Sequence, residues 1–127
     1  MIKEILICLI IIASIIAIDT ITQNFTERSV YDVSRLFDSL KENISNNNLT
    51  EIQDDIKNIE KKWKEMSKWL AYYIEHDELE KVETAIVLMK SYCESEDYTS
   101  AIARLEEGKF VLEHIEEKNS FNLKNIL

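Results

Sequence analysis

The N-terminal part of the chain is its most apolar segment. From Ile5 to Ile18, fourteen consecutive residues are interrupted only by Ser14. As a helix that rises about 1.5 Å per residue, this run is about 21 Å long, and extension to Ile21 brings it to about 25 Å. A hydrocarbon core is about 30 Å thick. We predict that residues 1–21 form a transmembrane anchor, with residues 5–21 in the membrane.

Two other interpretations of the apolar run stay open, a cleaved secretory signal peptide and a buried or interfacial helix. Cleavage after Ala17 would put Ile15 where a small residue is preferred, and a uniform Ile/Leu run has no polar face for water. An uncleaved single span is therefore favoured. Lys3 precedes the run and Asp19 follows it, which favours a cytoplasmic N-terminus and an extracytoplasmic body of a cell-membrane protein.

Behind the run, apolar residues recur at steps of three and four in four segments, the period of amphipathic helices. No Gly or Pro separates the first segment from the apolar run, so both are predicted to form one helix. The predicted core positions are Val30, Val33, Phe37, Leu40 and Ile44; Ile52, Ile56, Ile59, Trp63, Met66, Leu70 and Tyr73; Leu79, Val82, Ile86, Met89 and Cys93; Tyr98, Ala101, Leu105, Gly108, Leu112 and Ile115.

Polar residues mark the three predicted breaks. Residues 46–48 are all Asn, a residue that competes for its own backbone and tolerates turn geometry. Asn48 or Thr50 is the predicted N-cap of the second helix, Asp77 that of the third and Asp97 that of the fourth. The second helix is predicted to run as far as His76.

The two halves of the body match at an offset of 49 residues. The core positions of the first two segments map onto those of the last two, and both halves change phase at the same place. We predict an all-α fold in which a transmembrane helix leads into an antiparallel four-helix bundle made of two repeated helical hairpins. The bundle is predicted over residues 22–118, with a C-terminal tail over residues 119–127.

Composition limits the possible partners. The sequence has no Pro and one Gly, which disfavours turn-rich β architecture. Without Lys3, Glu4 and Asp19, the body keeps 14 basic and 22 acidic residues, a net charge of −8 that argues against nucleic acid as a partner. Cys8 and Cys93 lie in the run and the body, so no disulfide framework is expected.

Several features together resemble one family of small, N-terminally anchored helical proteins from anaerobic spore-forming bacteria. They are the apolar N-terminus, Trp63 and Trp69 in one helix, the stretches His76–Leu79 and Leu112–Ile115, and the ending Asn122–Leu127. The chain is similar over nearly its whole length to the domain-of-unknown-function 4363 family. The resemblance implies no assigned activity, and it suggests an accessory role beside small integral-membrane proteins.

Two candidate sites are predicted at the end of the bundle nearest the apolar run. The first is a partner-binding surface formed by Trp69 and Tyr72, which fall off the apolar stripe, together with Phe121, Leu123 and Ile126 of the tail. The tail either docks in a groove of the bundle or is offered to a partner as a short motif. The second, an alternative, is a metal site of His76, Glu78 and His114. Against it, both histidines suit helix C-termini, where a cation is favoured.

The sequence contains no recognisable catalytic constellation, and no Gly-rich phosphate loop. Cys93 has acidic neighbours that raise the pKa of its thiol, which disfavours a nucleophile. We expect a non-enzymatic membrane-anchored module without a cofactor, acting as an accessory or interaction partner of another integral-membrane protein. The alternatives are a metal or small-ligand sensor that uses His76 and His114, and a structural bundle that associates with itself.

Overall fold

The fold consists of four helices joined by short turns. The computed structural model describes the backbone of residues 1–126 and the side chains of residues 1–120. The helices are α1 (Ile2–Ser45), α2 (Leu49–Leu70), α3 (His76–Glu94) and α4 (Tyr98–Ile126), with no strand in this part of the chain. The predicted all-α architecture is confirmed.

Helix α1 has two different halves. Its most apolar 18-residue window has a mean hydropathy of 2.7 and no buried residue, so by length and composition it can cross a membrane. From Thr26 onward the same helix packs into the bundle, and it continues through the boundary without a break. The prediction of one helix from the apolar run into the body is confirmed.

The bundle core follows the predicted stripes. All predicted core positions are buried except Tyr73 and Tyr98, which are half-buried. Helices α1 and α2 are antiparallel neighbours, as are α3 and α4, and α4 also packs closely along α1. Contact between α2 and α3 is much sparser, so one side of the bundle is loosely closed.

The two hairpin turns repeat the same backbone geometry 49 residues apart. Asn47 and Glu96 both have positive φ, 56° and 60°. The amide of Asn48 donates to the carbonyl of Asn43 at 3.1 Å, and the amide of Asp97 donates to that of Tyr92 at 2.9 Å. In each turn, a hydrogen bond that spans six residues ends the helix, and the residue before its donor has the left-handed conformation. The repeat therefore extends from the apolar pattern to the turns.

The connection between α2 and α3 differs from the prediction. Helix α2 ends at Leu70, and residues 71–75 form the turn, so His76 begins α3 instead of ending α2. Glu75 is the N-cap in place of Asp77, because its carbonyl accepts the amides of Glu78 and Leu79. In the sequence, Tyr73 continues the apolar spacing of α2. In the structure it lies in the turn after α2, where its side chain is half-buried.

The predicted N-caps of α2 and α4 agree with the structure. Asn48 is the N-cap of α2, although its side chain makes no capping hydrogen bond. The Asp97 carboxylate accepts the amide of Ser100 at 3.2 Å, which confirms it as the cap of α4.

Helix α4 continues through the predicted C-terminal tail. It has no break at residue 119 and runs to Ile126, because no Gly or Pro follows Gly108 to end it. The side chains of Phe121, Leu123 and Ile126 lie outside the described residues, and so does the predicted docking of the tail.

The left-handed turn residues generate a stability prediction. A left-handed conformation costs an ordinary L-residue about 1–2 kcal/mol, and glycine removes that cost while adding about 0.4–1 kcal/mol of unfolded-chain entropy. We expect Glu96→Gly to raise the free energy of unfolding by up to about 1 kcal/mol. Asn47→Gly should change it less, because Asn tolerates this conformation. Denaturant unfolding of the full chain in detergent measures both, and a loss of stability in Glu96→Gly would contradict the turn geometry.

Candidate partner-binding site

The end of the bundle next to the apolar run is here called the proximal pole. It comprises the turn at residues 71–75, the first turn of α3, and the part of α4 after Ile115, all beside α1 residues 22–29. The opposite end, with the two left-handed turns, is the distal pole. Trp69, Tyr72, His76, Glu78 and His114 all belong to the proximal half of the molecule.

Tyr73 fastens the proximal turn to α1. Its hydroxyl lies 2.7 Å from Thr26 Oγ1 and 3.2 Å from the carbonyl oxygen of Thr22. The Thr26 hydroxyl itself donates to the same carbonyl at 2.7 Å, which leaves its oxygen able to accept from Tyr73. Burial raises the pKa of Tyr73, partly offset by the hydrogen bond with Thr26. The turn is thus held level with the first residues after the apolar run.

Helix α4 joins the same polar cluster. The side-chain amide of Asn119 donates to Gln23 Oε1 at 3.1 Å and to Thr26 Oγ1 at 3.4 Å. The predicted tail residues Phe121, Leu123 and Ile126 belong to the same helix, and their side chains lie outside the described residues.

Trp69 and Tyr72 form an exposed aromatic pair. Trp69 lies in the last turn of α2 and is 57% exposed, and Tyr72 lies in the following turn and is 80% exposed. Their ring centroids are 6.0 Å apart with an interplanar angle of 33°. Tyr73, the next residue, contacts Thr22, which lies four residues after Ile18. The structure therefore brings these two predicted residues together at the proximal pole.

The three residues of the metal hypothesis do not form one cluster. His114 Nε2 lies 4.0 Å from Glu78 Oε1, whereas His76 borders another groove, between α2 and α3. Glu78 is buried and also lies 3.7 Å from Lys81 Nζ. No group of three or more His, Cys, Asp or Glu side chains suitable for a metal occurs in the described part of the chain. The predicted C-terminal position of His76 in α2 is wrong, because His76 begins α3.

Charged contacts connect α4 to the other helices at this pole. Lys118 Nζ lies 2.8 Å from Glu75 Oε1, a contact that lowers the pKa of Glu75 and raises that of Lys118. Burial raises the pKa of Glu116, and the nearby Glu27 carboxylate adds to the effect. The positive charge of Lys118 therefore offsets part of the repulsion between carboxylates at the proximal pole.

The comparison with known families agrees with the bundle. Residues 20–126 match the family described as "Domain of unknown function (DUF4363)". The chain belongs to the DUF4363 family. The match starts after the apolar run, so the bundle is the part of this DUF4363 protein that the family describes. No curated protein matches the chain significantly, and no solved structure does.

The pattern of apolar residues does not reveal the buried polar residues that position the pole. Thr26 and Ser29 of the DUF4363 bundle are fully buried on α1, where they continue the apolar stripe of Val30 and Val33 backward. Thr and Ser count as polar in such a pattern, although the helical spacing of Thr22, Thr26 and Ser29 is the signal that identifies them. The raised pKa of Cys93 was anticipated, and burial is its larger cause, followed by Glu94.

The Tyr73 contacts predict a selective loss of stability. Tyr73→Phe removes the hydroxyl that joins the turn to α1, so the free energy of unfolding of the DUF4363 protein should fall by about 0.5–1.5 kcal/mol. The matched control is Tyr72→Phe, in which the lost hydroxyl is exposed and the change should stay within about 0.5 kcal/mol. Equal effects in denaturant unfolding would contradict the role of Tyr73.

The raised pKa of Tyr73 also predicts a pH dependence. The folded state holds the phenol proton more tightly than the unfolded chain, whose ordinary pKa is 10.0. The corresponding stability is present below that pH and is lost as pH rises through the folded-state pKa. Unfolding measured across this range should show a smaller alkaline loss in Tyr73→Phe than in the native protein, and identical slopes would contradict the assignment.

Proposed function

We propose that this protein is a non-enzymatic, membrane-anchored, extracytoplasmic helical module that acts as an accessory subunit of another integral-membrane protein. Residues 5–21 span the cell membrane once, with the N-terminus in the cytoplasm. The bundle stands on the outer surface with its proximal pole toward the lipid. Trp69 and Tyr72 are the centre of the surface that meets the partner.

The observation that carries this proposal is the exposed aromatic pair beside the end of the apolar run. Trp and Tyr are large side chains with a polar group, and they are enriched where one end of a side chain is apolar and the other is wet. They are also the residues that most often dominate binding energy at protein interfaces. Two of them, adjacent and exposed at one pole, suit a partner that lies at the membrane surface.

The level of the pair along α1 supports a membrane partner over a soluble one. The contacts of Tyr73 with Thr22 and Thr26 hold the neighbouring Tyr72 close to the residues where the apolar run ends. A partner that contacts Tyr72 therefore has to approach the membrane surface closely. A transmembrane protein with a short outer loop meets this condition, because such a loop lies at the membrane surface.

Helix α4 adds a second part to the proposed surface. Its backbone continues about 10 Å beyond Asn119 to Ile126, at about 1.5 Å per residue. Phe121, Leu123 and Ile126 lie in this segment, which runs back toward the membrane. We propose that these residues extend the partner surface along the anchor.

Site-specific photocrosslinking in the native membrane tests the proposal. A photoreactive phenylalanine analogue at Tyr72 should capture one recurrent integral-membrane protein, identified by mass spectrometry. The matched control carries the same analogue at Phe110, an aromatic residue that is 71% exposed on α4. Lys109 bonds to Asp38, so Phe110 lies near the middle of the bundle, nine residues and about 14 Å along α4 from Asn119 at the proximal pole.

Capture at Tyr72 but not at Phe110 would support a partner at the proximal pole. Equal capture at both positions, or none at Tyr72, would overturn it. Trp69→Ala together with Tyr72→Ala should then reduce copurification of the captured protein at least about tenfold, the loss expected for hot-spot aromatics. An unchanged yield would remove the aromatic pair from the site.

A further inference from the structure

The repeat makes the two seams between the hairpins equivalent, yet they differ in the structure. The seam between α1 and α4 is closed, and ion pairs cross it from Lys41 to Glu106 and from Lys109 to Asp38, both at 3.0 Å. Gly108 allows this approach, because a Cβ there would lie 3.1 Å from Phe37 Cε2 and 3.3 Å from Ala85 Cβ. The seam between α2 and α3 is sparsely packed.

The residue that corresponds to Gly108 in the first hairpin is Ile59, which is fully buried. A branched side chain at this position prevents α2 from approaching a neighbouring helix as closely as α4 does at Gly108. Two polar side-chain contacts cross the α2–α3 seam between described residues. Trp63 Nε1 donates to Glu83 Oε2 at 2.9 Å, and Lys90 Nζ lies 3.2 Å from Glu60 Oε1.

Open grooves remain along this seam. A cavity of about 440 Å³ lies in its distal half and is lined in part by Ile52, Ile56 and Cys93, and a second of about 390 Å³ lies nearer the proximal pole. Leu49 and Val87, on α2 and α3, are 61% and 58% exposed. Exposed apolar side chains that border an open seam are typical of a surface that another molecule covers.

The exposed rows of residues beside the seam differ in charge, although α2 as a whole has five lysines and five carboxylates. Helix α2 has an exposed row of lysines at steps of four, three and four residues: Lys57, Lys61, Lys64 and Lys68. Helix α3 has exposed carboxylates at Glu80, Glu83 and Glu94. Among the described residues, none of these four lysines lies within 4.0 Å of a carboxylate, so the row has no ion-pair partner within that part of the chain.

We propose that the α2–α3 seam is the interface with a second copy of this chain, related by a two-fold axis parallel to the bundle. Rotation about such an axis brings α2 of one copy opposite α3 of the other, and the reverse, so Lys57, Lys64 and Lys68, which border the seam, face the carboxylates of α3. The axis also leaves both apolar runs pointing the same way. Two copies in one membrane can therefore associate without reorientation.

The levels of the charges agree with this arrangement. A two-fold axis parallel to the bundle preserves height, and the bonds from Trp63 to Glu83 and from Glu60 to Lys90 fix the heights of α2 and α3 relative to each other. Lys57 is then level with Glu94, and Lys68 with Glu80. Each of these pairings occurs twice in the dimer, which makes the surface self-complementary.

The size of the seam suits a weak interface that the membrane assists. Two helices about 30 Å long and about 10 Å apart present on the order of 600 Å² per copy, compared with about 800 Å² per partner in a standard interface. Copies held in one membrane with the same orientation have a high effective concentration, so a modest interface is sufficient.

Native mass spectrometry of the full chain released from lipid nanodiscs tests the proposal. We expect particles with two chains of 14.9 kDa each. Lys57→Glu with Lys68→Glu should weaken the dimer at least about tenfold, because repulsion replaces attraction at four contacts. Glu80→Lys with Glu94→Lys should weaken it equally. Glu113→Lys with Glu117→Lys is the matched control on exposed positions of α4, and it should leave the dimer intact.

Mixing the two seam variants gives the decisive result. With different tags on the two chains, they should form mixed dimers within about threefold of the native affinity, although each variant alone dimerises at least about tenfold more weakly. A single chain per particle in the native protein would overturn the proposal. So would a dimer that resists both charge reversals, since that behaviour indicates association through the apolar runs. Capture at Tyr72 tests a different surface, so either proposal can fail without the other.

Discussion

Helix α1 has to satisfy two environments, and the arrangement of the whole molecule depends on this constraint. Its first half is apolar on every side, and its second half buries only the stripe that begins at Thr26. The helix continues without a break between the two halves, so the bundle is joined directly to the apolar run. The direction in which α1 leaves the bundle therefore decides which pole lies beside the run, and so which residues α2, α3 and α4 bring there.

The polar residues at this pole are consistent with that role. An apolar stripe could have continued from Val30 back to the run, but Thr22, Thr26 and Ser29 occupy it. Thr26 and Tyr73 satisfy each other across two elements of the bundle. A hydrogen-bonded contact fixes the height of the turn along α1 more specifically than apolar contact does, because its geometry is directional. That height is what positions Trp69 and Tyr72 at the end of the run.

The internal repeat explains both the regularity of the bundle and its one asymmetry. Two similar hairpins pack efficiently when their apolar stripes face each other, and the matching left-handed turns at Asn47 and Glu96 keep both hairpins in the same phase. The equivalence ends at one pair of corresponding positions, where the second hairpin has Gly108 and the first has Ile59. Gly108 allows the seam between α1 and α4 to close. The larger side chain of Ile59 at the equivalent position leaves the seam between α2 and α3 open, with charged residues on both sides.

The sequence alone determined the helical class, the core stripes, the repeat and the continuous first helix, because these follow from local periodicity and from the absence of helix-breaking residues. It also placed Trp69 and Tyr72 off the stripe. It did not determine the end of α2, since Tyr73 keeps the apolar spacing while it lies in the turn. For the same reason it assigned His76 to the wrong helix.

Only the tertiary structure decided the contacts between distant parts of the chain. The bond between Tyr73 and Thr26, the separation of His76 from Glu78 and His114, and the difference between the two seams all depend on how helices pack against each other. Periodicity specifies which face of a helix is buried, but the spacing between two helices depends on side-chain volumes at positions far apart in the sequence. Gly108 against Phe37 and Ala85 is the clearest example here.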